Sequence, residues 1–314
     1  MQKDAAVCLD IGGTFIKYGL VSSDGDLLYF DKQKTNKIGA AGLIEQVTGI
    51  IRELLDRGAA NPLVGIGISS AGQVNHHHGN ILFATDNLPG WTGIDIRSII
   101  ENQFGLRCCV DNDVNCAALG EMYFGNARDL NDFVCIIIGT GIGGAIVKDS
   151  KLIHGYIGSA GEVGHMVIKA GGRKCNCGNK GCYEQYASAS ALKRSIAAKL
   201  KMDCFSLDRE VAWLITNYAT NQKAEKIIHE YVGYIAIGIV NLLHMFNPAA
   251  VIIGGFVSEY DFLIEKIRDN IYQKAMPEFT RELKILPSLL DNKAALFGVS
   301  AYIFNKIQES GAKE

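Results

Sequence analysis

The chain has 314 residues, of which 48% are apolar and 20% are charged, and its formal net charge at pH 7 is −2. A chain of this length can bury one large core or two, and its composition is typical of an ordinary globular protein. The near-neutral charge argues against a basic surface for nucleic acid or for an anionic membrane.

The apolar segments and the cysteines favour a cytoplasmic protein. No apolar run is long enough to span a bilayer, and the first residues lack the apolar region of a signal peptide. The nine cysteines are an odd number, and most of those outside one cluster lie in or beside apolar runs. This is typical of reduced thiols and not of a disulfide framework. We therefore expect no membrane and no nucleic-acid partner.

The first half begins with a β-hairpin and continues with alternating helices and strands. Residues 7–14 form a β-rich run that ends in a Gly/Thr turn, and a second strand at 16–21 and a third strand candidate follow. The later predicted elements of this half are a helix at 40–56, a strand at 64–68, a helix at 95–104, a strand at 106–110 and a helix at 114–123.

The second half repeats this order. Residues 134–141 resemble residues 7–14, and a second strand at 145–147 follows. The later predicted elements are a Cys-rich loop, a helix at 224–246, a strand at 250–253, further helices, a strand at 283–286 and a final helix at 294–305. Apolar hairpins often look alike, but the shared order of the remaining elements favours a duplication.

These elements predict an α/β protein of two domains, each a mixed sheet covered by helices, with a ligand site in the cleft between them. The predicted domains are residues 1–122 and residues 123–314, with the option that the final helix packs on the first domain.

The two hairpins differ at one informative position. The first has Asp10 where the second has Ile137. A carboxylate at the end of an apolar strand is costly unless it has a partner. We interpret Asp10 as a residue that orients a magnesium-bound water near phosphate; the alternative is a cap on the turn at Gly12 and Gly13.

Three glycine-rich turns follow predicted strands and would let a backbone approach nucleotide phosphates or adenosine closely. Their residues are Gly12, Gly13 and Thr14; Gly139, Thr140, Gly141, Gly143 and Gly144; and Gly254 and Gly255. The second turn matches Gly-x-Gly-x-x-Gly, but a strand and not a helix is predicted after it, so a dinucleotide site is not expected. For the third turn, a tight strand-to-helix connection is an equal alternative.

Polar residues cluster where the strand at 106–110 ends. Asn112 and Asp113 begin the next helix, where Asp and Asn are also ordinary caps. A carboxylate at the end of a strand is well placed to take a proton from a substrate hydroxyl, and Asp111 competes with Asp113 for this role on spacing alone. Asn87 lies on a loop where its amide could bond hydroxyls, although an ordinary turn is equally compatible.

His165, Cys175, Cys177 and Cys182 have the number and type of ligands of a closed, structural zinc site. The alternative is a disulfide with a loose thiol and an unrelated histidine. The same loop carries Glu162 and Glu184, so the metal would fix two carboxylates. The run His76-His77-His78 is expected to be a solvated turn and not a second metal site.

Asp10-Ile-Gly-Gly-Thr14, Asn112-Asp113, Gly139-Thr-Gly-Ile-Gly-Gly144, Glu162-Val-Gly-His165 and the Cys175-to-Glu184 motif together resemble the ROK family of repressors, open reading frames and sugar kinases. The resemblance covers nearly the whole chain. It implies an actin-like, ribonuclease H-like ATPase fold with a duplicated mixed β-sheet core. It further implies ATP-dependent phosphorylation of a hexose, with glucose to glucose 6-phosphate as the preferred interpretation, and a homodimer.

The resemblance also implies roles for individual residues. Asp113 would be the general base. The sugar ligands would be Gly72, Asn87, Asn112, Asp113, Glu162, His165 and Glu184, with His165 also on zinc. Mg-ATP would be held by Asp10, Lys17 and the three glycine turns. Two departures from the family pattern are Ser70-Ala71-Gly72 in place of Pro-Gly and Phe256 in place of a third glycine.

Several alternatives stay open at this stage. N-acetylmannosamine, N-acetylglucosamine and fructose kinases share much of the same residue set, and pocket volume is not readable from spacing. A sugar-responsive regulator of this family is disfavoured, because only six residues precede the first strand and no DNA-binding segment is expected there. A sugar-binding module without catalysis is disfavoured because Asp113 is present.

Overall fold

The computed structural model describes residues 3–201 and 207–311. The chain forms two compact units. One consists of Met1–Asp129, Leu152–Ala160 and Asn292–Glu314, and the other of Leu130–Lys151 and Gly161–Asp291. The domain limits at residues 122 and 123 stay a prediction; that position lies inside a helix, and the compact units change over at Asp129.

The first unit is built on a five-stranded mixed sheet. Its strands, with a separate two-stranded ribbon of β5 and β6, are β1 (Ala5–Ile11), β2 (Phe15–Ser22), β3 (Leu27–Lys34), β4 (Leu63–Ser70), β5 (Gln73–Asn75), β6 (Asn80–Phe83) and β7 (Cys108–Asn112). The sheet order is β3-β2-β1-β4-β7. The hairpin strands pair antiparallel, whereas β4 pairs parallel with both β1 and β7.

Burial follows position in the sheet. All seven residues of the central strand β1 are buried, whereas the edge strand β3 has no buried residue. The helices of this unit are α1 (Ala40–Arg57), α2 (Ile96–Phe104) and α3 (Asp113–Phe124). α1 buries Leu43, Val47, Ile50, Ile51 and Leu54, the one-sided spacing of a helix that packs on a sheet.

The second unit repeats the strand order of the first. Its strands are β8 (Phe133–Ile138), β9 (Ile142–Lys148), β10 (Lys151–Leu152), β11 (Ala250–Gly255) and β12 (Lys284–Pro287). Their order is β10-β9-β8-β11-β12, with β11 parallel to β8 and to β12. The predicted duplication of a mixed sheet is therefore confirmed.

A long apolar helix forms the centre of the second core. The helices of this unit are α4 (Glu184–Ala187), α5 (Ala189–Leu200), α6 (Leu207–Thr216), α7 (Gln222–Phe246), α8 (Asp261–Lys274) and α9 (Pro277–Thr280). By length and composition α7 could cross a membrane, but 61% of its most apolar window is buried. Twelve of its residues are buried, as in the core helix of a globular protein.

The final helix, α10 (Ala294–Gly311), belongs to the first unit. It packs on α3 at two glycines. A side chain at Gly298 would overlap the carbonyl oxygen of Cys116, and one at Gly120 would overlap that of Ala294. The helices therefore approach each other as closely as their backbones allow.

The predicted elements are present, with shifted ends. The main correction concerns the strand predicted at 106–110, which runs from Cys108 to Asn112. Parallel pairing with β4, up to the pair of Ser70 and Asn112, extends this strand. Asp111 and Asn112 therefore lie within the strand and only Asp113 opens the helix.

The contact between α3 and α10 gives a test of the first unit. Replacing Gly298 by Ala should lower the free energy of unfolding by about 2 kcal/mol or more, because the added methyl group forces the helices apart. The matched control is Gly233→Ala on α7, where a Cβ meets no atom within 4 Å; this variant should be neutral or slightly more stable. Urea unfolding measures both, and equal stability of the two variants would contradict the described packing.

Candidate active site

The polar residues of the first unit gather where β1, β4 and β7 end. The parallel register pairs Asp10 with Ser69 and Ser69 with Asp111. Ligand sites of α/β proteins commonly lie at the carboxyl ends of parallel strands. The pairing therefore brings together the segments around Asp10, Gly72 and Asn112, which are far apart in sequence.

Asp10 is a buried carboxylate with two side-chain partners. Its Oδ2 accepts a hydrogen bond from Lys17 Nζ at 3.0 Å, and its Oδ1 accepts one from Ser69 Oγ at 2.8 Å. The N–H of Gly12 donates to the carbonyl of Phe15. Asp10 thus bonds Lys17 and Ser69. It does not cap the Gly12-Gly13 turn, which was the alternative interpretation.

The Gly12-Gly13 turn contacts the Asn87 loop. A Cβ at Gly13 would lie 2.9 Å from the Cβ of Asn87, so only glycine allows this approach. Thr14 and Asn87 are both exposed beside the turn. Thr35 Oγ1 donates to the carbonyl of Gly12 at 2.6 Å and fixes the turn from its other side.

Asn112 and Asp113 form the start of α3. The side-chain oxygen of Asn112 accepts from the N–H groups of Val114 and Asn115, an N-cap that satisfies two helix donors. The Asn112 Nδ2 donates to the carbonyl of Gly72 and to Asp113 Oδ1, each at 2.9 Å. Asn112 therefore orients the half-buried Asp113 carboxylate, and both hydrogens of its own amide are engaged.

Asp111 differs from Asp113 in its access to solvent. The Asp111 side chain is 0% exposed and bonds His154 Nε2 at 2.8 Å. It also accepts from the N–H of Asn112 and from Asn115 Nδ2. A proton acceptor must be reachable by its substrate, so this geometry disfavours Asp111 as the base.

In the second unit, the 139–144 glycine turn lies beside Glu184. β9 and not a helix follows the turn, as the sequence predicts. A Cβ at Gly141 would be 2.7 Å from Glu184 Oε2, whereas one at Gly139 would meet no atom within 4 Å. Thr140 is exposed, and the N–H of Gly139 bonds the carbonyl of Gly141 across the turn.

Gly254 and Gly255 end β11 against β8. A Cβ at Gly255 would lie 2.5 Å from the carbonyl oxygen of Ile138, and φ of Gly255 is +80°. This close strand contact and tight connection account for the glycines. A contact with adenosine at this point stays a prediction.

The four predicted zinc ligands lie together. Their ligand atoms are all within 4.8 Å of one another. Cys177 Sγ and Cys182 Sγ are 3.6 Å apart, and Cys175 Sγ lies 3.7 Å from His165 Nδ1. A disulfide would bring two sulfurs to about 2.05 Å, whereas two thiolates on tetrahedral zinc are roughly 3.8 Å apart. The geometry therefore fits a metal and excludes the disulfide alternative.

Burial also affects the protonation of the cluster. It raises the pKa of Cys175 to about 12, so a metal that binds at neutral pH would displace the proton of this thiol. The backbone N–H of Asn179 lowers the pKa of Cys177. Among residues 3–201 and 207–311, this is the only group of three or more His, Cys, Asp or Glu ligands with such spacing.

His165 faces both the cluster and a carboxylate. Its Nδ1 points to Cys175, and its Nε2 lies 3.9 Å from Glu162 Oε2. Glu184 also contacts the cluster, since its Oε1 lies 3.1 Å from Cys175 Sγ. Glu162, His165 and Glu184 are thus held around one centre.

The His76-His77-His78 run is a turn in the first unit. His77 and His78 are exposed, whereas the His76 ring stacks on His154 at 3.6 Å. Arg97 donates to the carbonyls of His76 and His77. Burial, followed by the nearby His154, lowers the pKa of His76 to about 4.

Comparison with known proteins identifies the family. A model described as the ROK family matches residues 6–306. The chain belongs to the ROK family.

Its ROK relatives include enzymes and repressors. The glucokinase of Thermotoga maritima is 31% identical over 98% of this chain and 99% of its own. The xylose repressor of Caldicellulosiruptor bescii is 32% identical over 95% of this chain and 77% of its own. A crystal structure of a ROK glucokinase from Streptomyces griseus, in complex with glucose and AMPPNP, has a TM-score of 0.79 and 29% identity over 95% of this chain and 98% of that one.

The structural similarity confirms the predicted fold class. The two sheets of equal strand order are those of the actin-like, ribonuclease H-like ATPase fold of ROK proteins. Sequence patterns did not identify His154, Ser69 or the pairing of Lys17 with Asp10 as parts of the site. The signal for Lys17 was present, because the antiparallel register of the first hairpin places it opposite Asp10.

The cluster predicts a measurable metal content. Elemental analysis of the purified ROK protein should find about one zinc per chain, and Cys177→Ser should lose most of it, since three ligands hold zinc far less tightly than four. Cys8→Ala, which removes a buried thiol of β1 outside the cluster, should keep the zinc. A wild-type protein without metal, or equal metal in the two variants, would contradict the assignment.

Proposed function

We propose that this protein is an ATP-dependent sugar kinase that phosphorylates a hexose hydroxyl, with glucose as the preferred substrate. The observation that carries the proposal is the accessible Asp113 carboxylate, which Asn112 orients at the carboxyl edge of the parallel strands. The glucokinase relative, which aligns over nearly its whole length, supports the same activity.

Asp113 is the proposed general base. Its carboxylate takes the proton of the sugar hydroxyl as the hydroxyl oxygen attacks the γ-phosphorus of ATP. The bond between the γ-phosphorus and the bridging oxygen breaks, and ADP leaves. Phosphoryl transfer depends mainly on positioning and charge neutralisation, so the orientation of Asp113 by Asn112 is the first requirement.

The sugar-binding role of Asn112 needs one exchange of partners. Both amide hydrogens of Asn112 already have acceptors, the carbonyl of Gly72 and Asp113 Oδ1. We propose that Gly72 and Asn87 contribute to the sugar side of the first unit, and that Asn112 contacts the sugar only by sharing the hydrogen now directed to Asp113.

The acidic residues of the second unit are the proposed ligands of the remaining sugar hydroxyls. Carboxylates accept hydrogen bonds from hydroxyls, and Glu162 and His165 keep 43% and 37% of their side-chain surface exposed. Zinc in the Cys/His cluster would fix these residues and take no part in phosphoryl transfer. His165 would then hold the metal through Nδ1 and present Nε2 to the sugar side.

The glycine turns are the proposed cradle of the nucleotide. The backbone around Gly12, Gly13, Gly139, Thr140, Gly141 and Gly143 would offer N–H groups to phosphate oxygens. Magnesium bound with ATP would neutralise charge on the transferred phosphoryl group. Asp10 is the carboxylate proposed to hold a magnesium-bound water, and Lys17 adds a positive charge beside it. Gly254 and Gly255 are the proposed adenosine contacts.

The family also contains repressors, so turnover must distinguish an enzyme from a sugar-responsive regulator. A homodimer, which the resemblance implies, and a cytoplasmic location, which the cysteine usage indicates, both stay predictions. The substrate is decided by a coupled ADP-release assay with glucose, fructose, N-acetylmannosamine and N-acetylglucosamine. Absence of stimulation by every sugar at millimolar concentration would overturn the kinase proposal.

The role of Asp113 has its own test. Asp113→Asn should lower kcat at least about 100-fold, because the amide cannot accept the proton, while sugar affinity stays within a few-fold of wild type. Asp269→Asn, at an exposed position on α8, is the matched control and should keep wild-type kcat. Titration calorimetry measures sugar binding. Turnover of Asp113→Asn close to wild type would transfer the base role to another residue.

A further inference from the structure

A fully buried carboxylate lies two residues before the proposed base. Asp111 is 0% exposed, and each of its oxygens has a partner. Oδ1 accepts from the backbone N–H of Asn112 and from Asn115 Nδ2, at 2.7 and 3.0 Å. Oδ2 bonds His154 Nε2 at 2.8 Å. Asp111 therefore ties the end of β7 to the first turn of α3 and also to a distant segment.

The direction of the His154 bond follows from chemistry. An ionised carboxylate only accepts hydrogen bonds, so the ring nitrogen of His154 must donate to it. Removal of one partner of a buried polar pair leaves the other partner desolvated and unsatisfied. The loss of the His154 donor would therefore force Asp111 to move toward water or toward another donor.

Asp111 cannot move without the corner that carries the proposed base. Its Oδ1 holds the N–H of Asn112 and the side chain of Asn115, both in the strand-to-helix corner 111–115. Asn112 in turn bonds Asp113 Oδ1 and caps α3. A displacement of Asp111 would therefore change the orientation of Asp113.

His154 is itself firmly held in the first unit. Its side chain is 16% exposed, and its ring stacks on His76 at 3.6 Å with an interplanar angle of 14°. Nearby, Gly158 packs on β5 so closely that a Cβ would lie 2.6 Å from the carbonyl oxygen of Val74. The segment 152–160 is thus anchored on the same unit as Asp111.

We propose that His154 is a positioning residue for the proposed reaction: through Asp111 it fixes the strand-to-helix corner 111–115 and so the orientation of Asp113. This inference rests on the proposed role of Asp113 as the base. His154 itself touches Asp111 and His76, and it acts on the reaction only through this chain of hydrogen bonds.

Two substitutions separate the hydrogen bond from the ring contact. His154→Phe keeps a ring for stacking on His76 but removes the donor, whereas His154→Gln loses the ring but keeps an amide donor at a similar distance from the backbone. His154→Phe should lower kcat at least about tenfold with the KM for sugar within about threefold, because a small displacement of a catalytic group costs rate. His154→Gln should keep kcat within about threefold of wild type.

His78→Phe, at an exposed position of the neighbouring turn, is the matched control. This variant should behave as wild type in both kcat and KM. Wild-type kcat in His154→Phe would overturn the proposal. A slow His154→Gln beside a normal His154→Phe would also overturn it, since it would assign the effect to the contact with His76.

A readout without turnover separates this inference from the proposed function. Native-state hydrogen exchange of the amides of residues 112–116 should be at least about tenfold faster in His154→Phe than in wild type and unchanged in His154→Gln. If the wild type phosphorylates none of the sugars, the proposed function fails, and the exchange rates alone decide whether His154 fixes the corner. Unchanged exchange in His154→Phe would overturn the inference that His154 fixes the corner 111–115.

A double variant covers the case in which His154→Phe does not fold. Asp111→Asn together with His154→Phe has no buried charge to destabilise it, yet still lacks the donor. Positioning predicts that kcat of this double variant is at least about tenfold below that of Asp111→Asn, in which the amide can still bond His154. Equal kcat in the two would mean that His154 only neutralises a buried charge, and would overturn the proposal.

Discussion

Parallel pairing of strands at a common edge is the constraint on which the candidate site depends. In the first unit, β1, β4 and β7 bring Asp10, Ser69 and Asp111 side by side, although more than a hundred residues separate the first from the last. Each buried carboxylate then needs its own donors, since desolvation of an unpaired charge would outweigh the gain from strand pairing. Lys17 and Ser69 supply them for Asp10. His154, together with the donors of the corner 111–115, supplies them for Asp111. The same pairing in the second unit brings Gly254 and Gly255 against the end of β8.

The second unit depends on a different constraint, because the carboxylates of its candidate site lie in or directly after a segment with little regular structure. Between β10 and α4 the backbone forms a short 3-10 turn, Val163–His165, and isolated bridges such as that between Val167 and Cys182. Its backbone hydrogen bonds, such as those from Ile168 and Lys169 to the carbonyl of Gly181, join loops and turns and not the strands of a sheet. A metal bound by the four ligand atoms, which lie within 4.8 Å of one another, would add a further geometric constraint. Since the coordinating Nδ1 and the outward Nε2 belong to one imidazole, the metal would determine where Nε2 of His165 points.

Local patterns predicted most of the elements, and long-range contacts account for what they missed. Alternating apolar residues and glycine turns located both hairpins, and the order of elements indicated the repeated sheet, because these signals lie within short windows. The end of β7 depends on pairing with Ser70, about forty residues away in sequence, so local patterns placed this strand two residues too early. His154 lies 43 residues from Asp111, and no local pattern relates the two. In the second unit the spacing of the cysteines correctly predicted that these side chains lie together. The spacing is informative because metal ligands are often close in sequence.

The consecutive residues Asp111, Asn112 and Asp113 illustrate why similar side chains have different chemical roles. Along β7, alternate residues point to opposite faces of the sheet, and the helix that follows changes the direction again at Asp113. Asp111 is consequently buried and saturated with donors, Asn112 caps α3, and Asp113 remains partly exposed. A carboxylate whose oxygens are all engaged by fixed donors is an anchor, whereas one that substrate can reach is suited to accept a proton. The two aspartates are therefore not interchangeable, because Asp111 could take the place of Asp113 at the start of the helix only if the strand ended two residues earlier. The donors that now bond Asp111 would then need another acceptor.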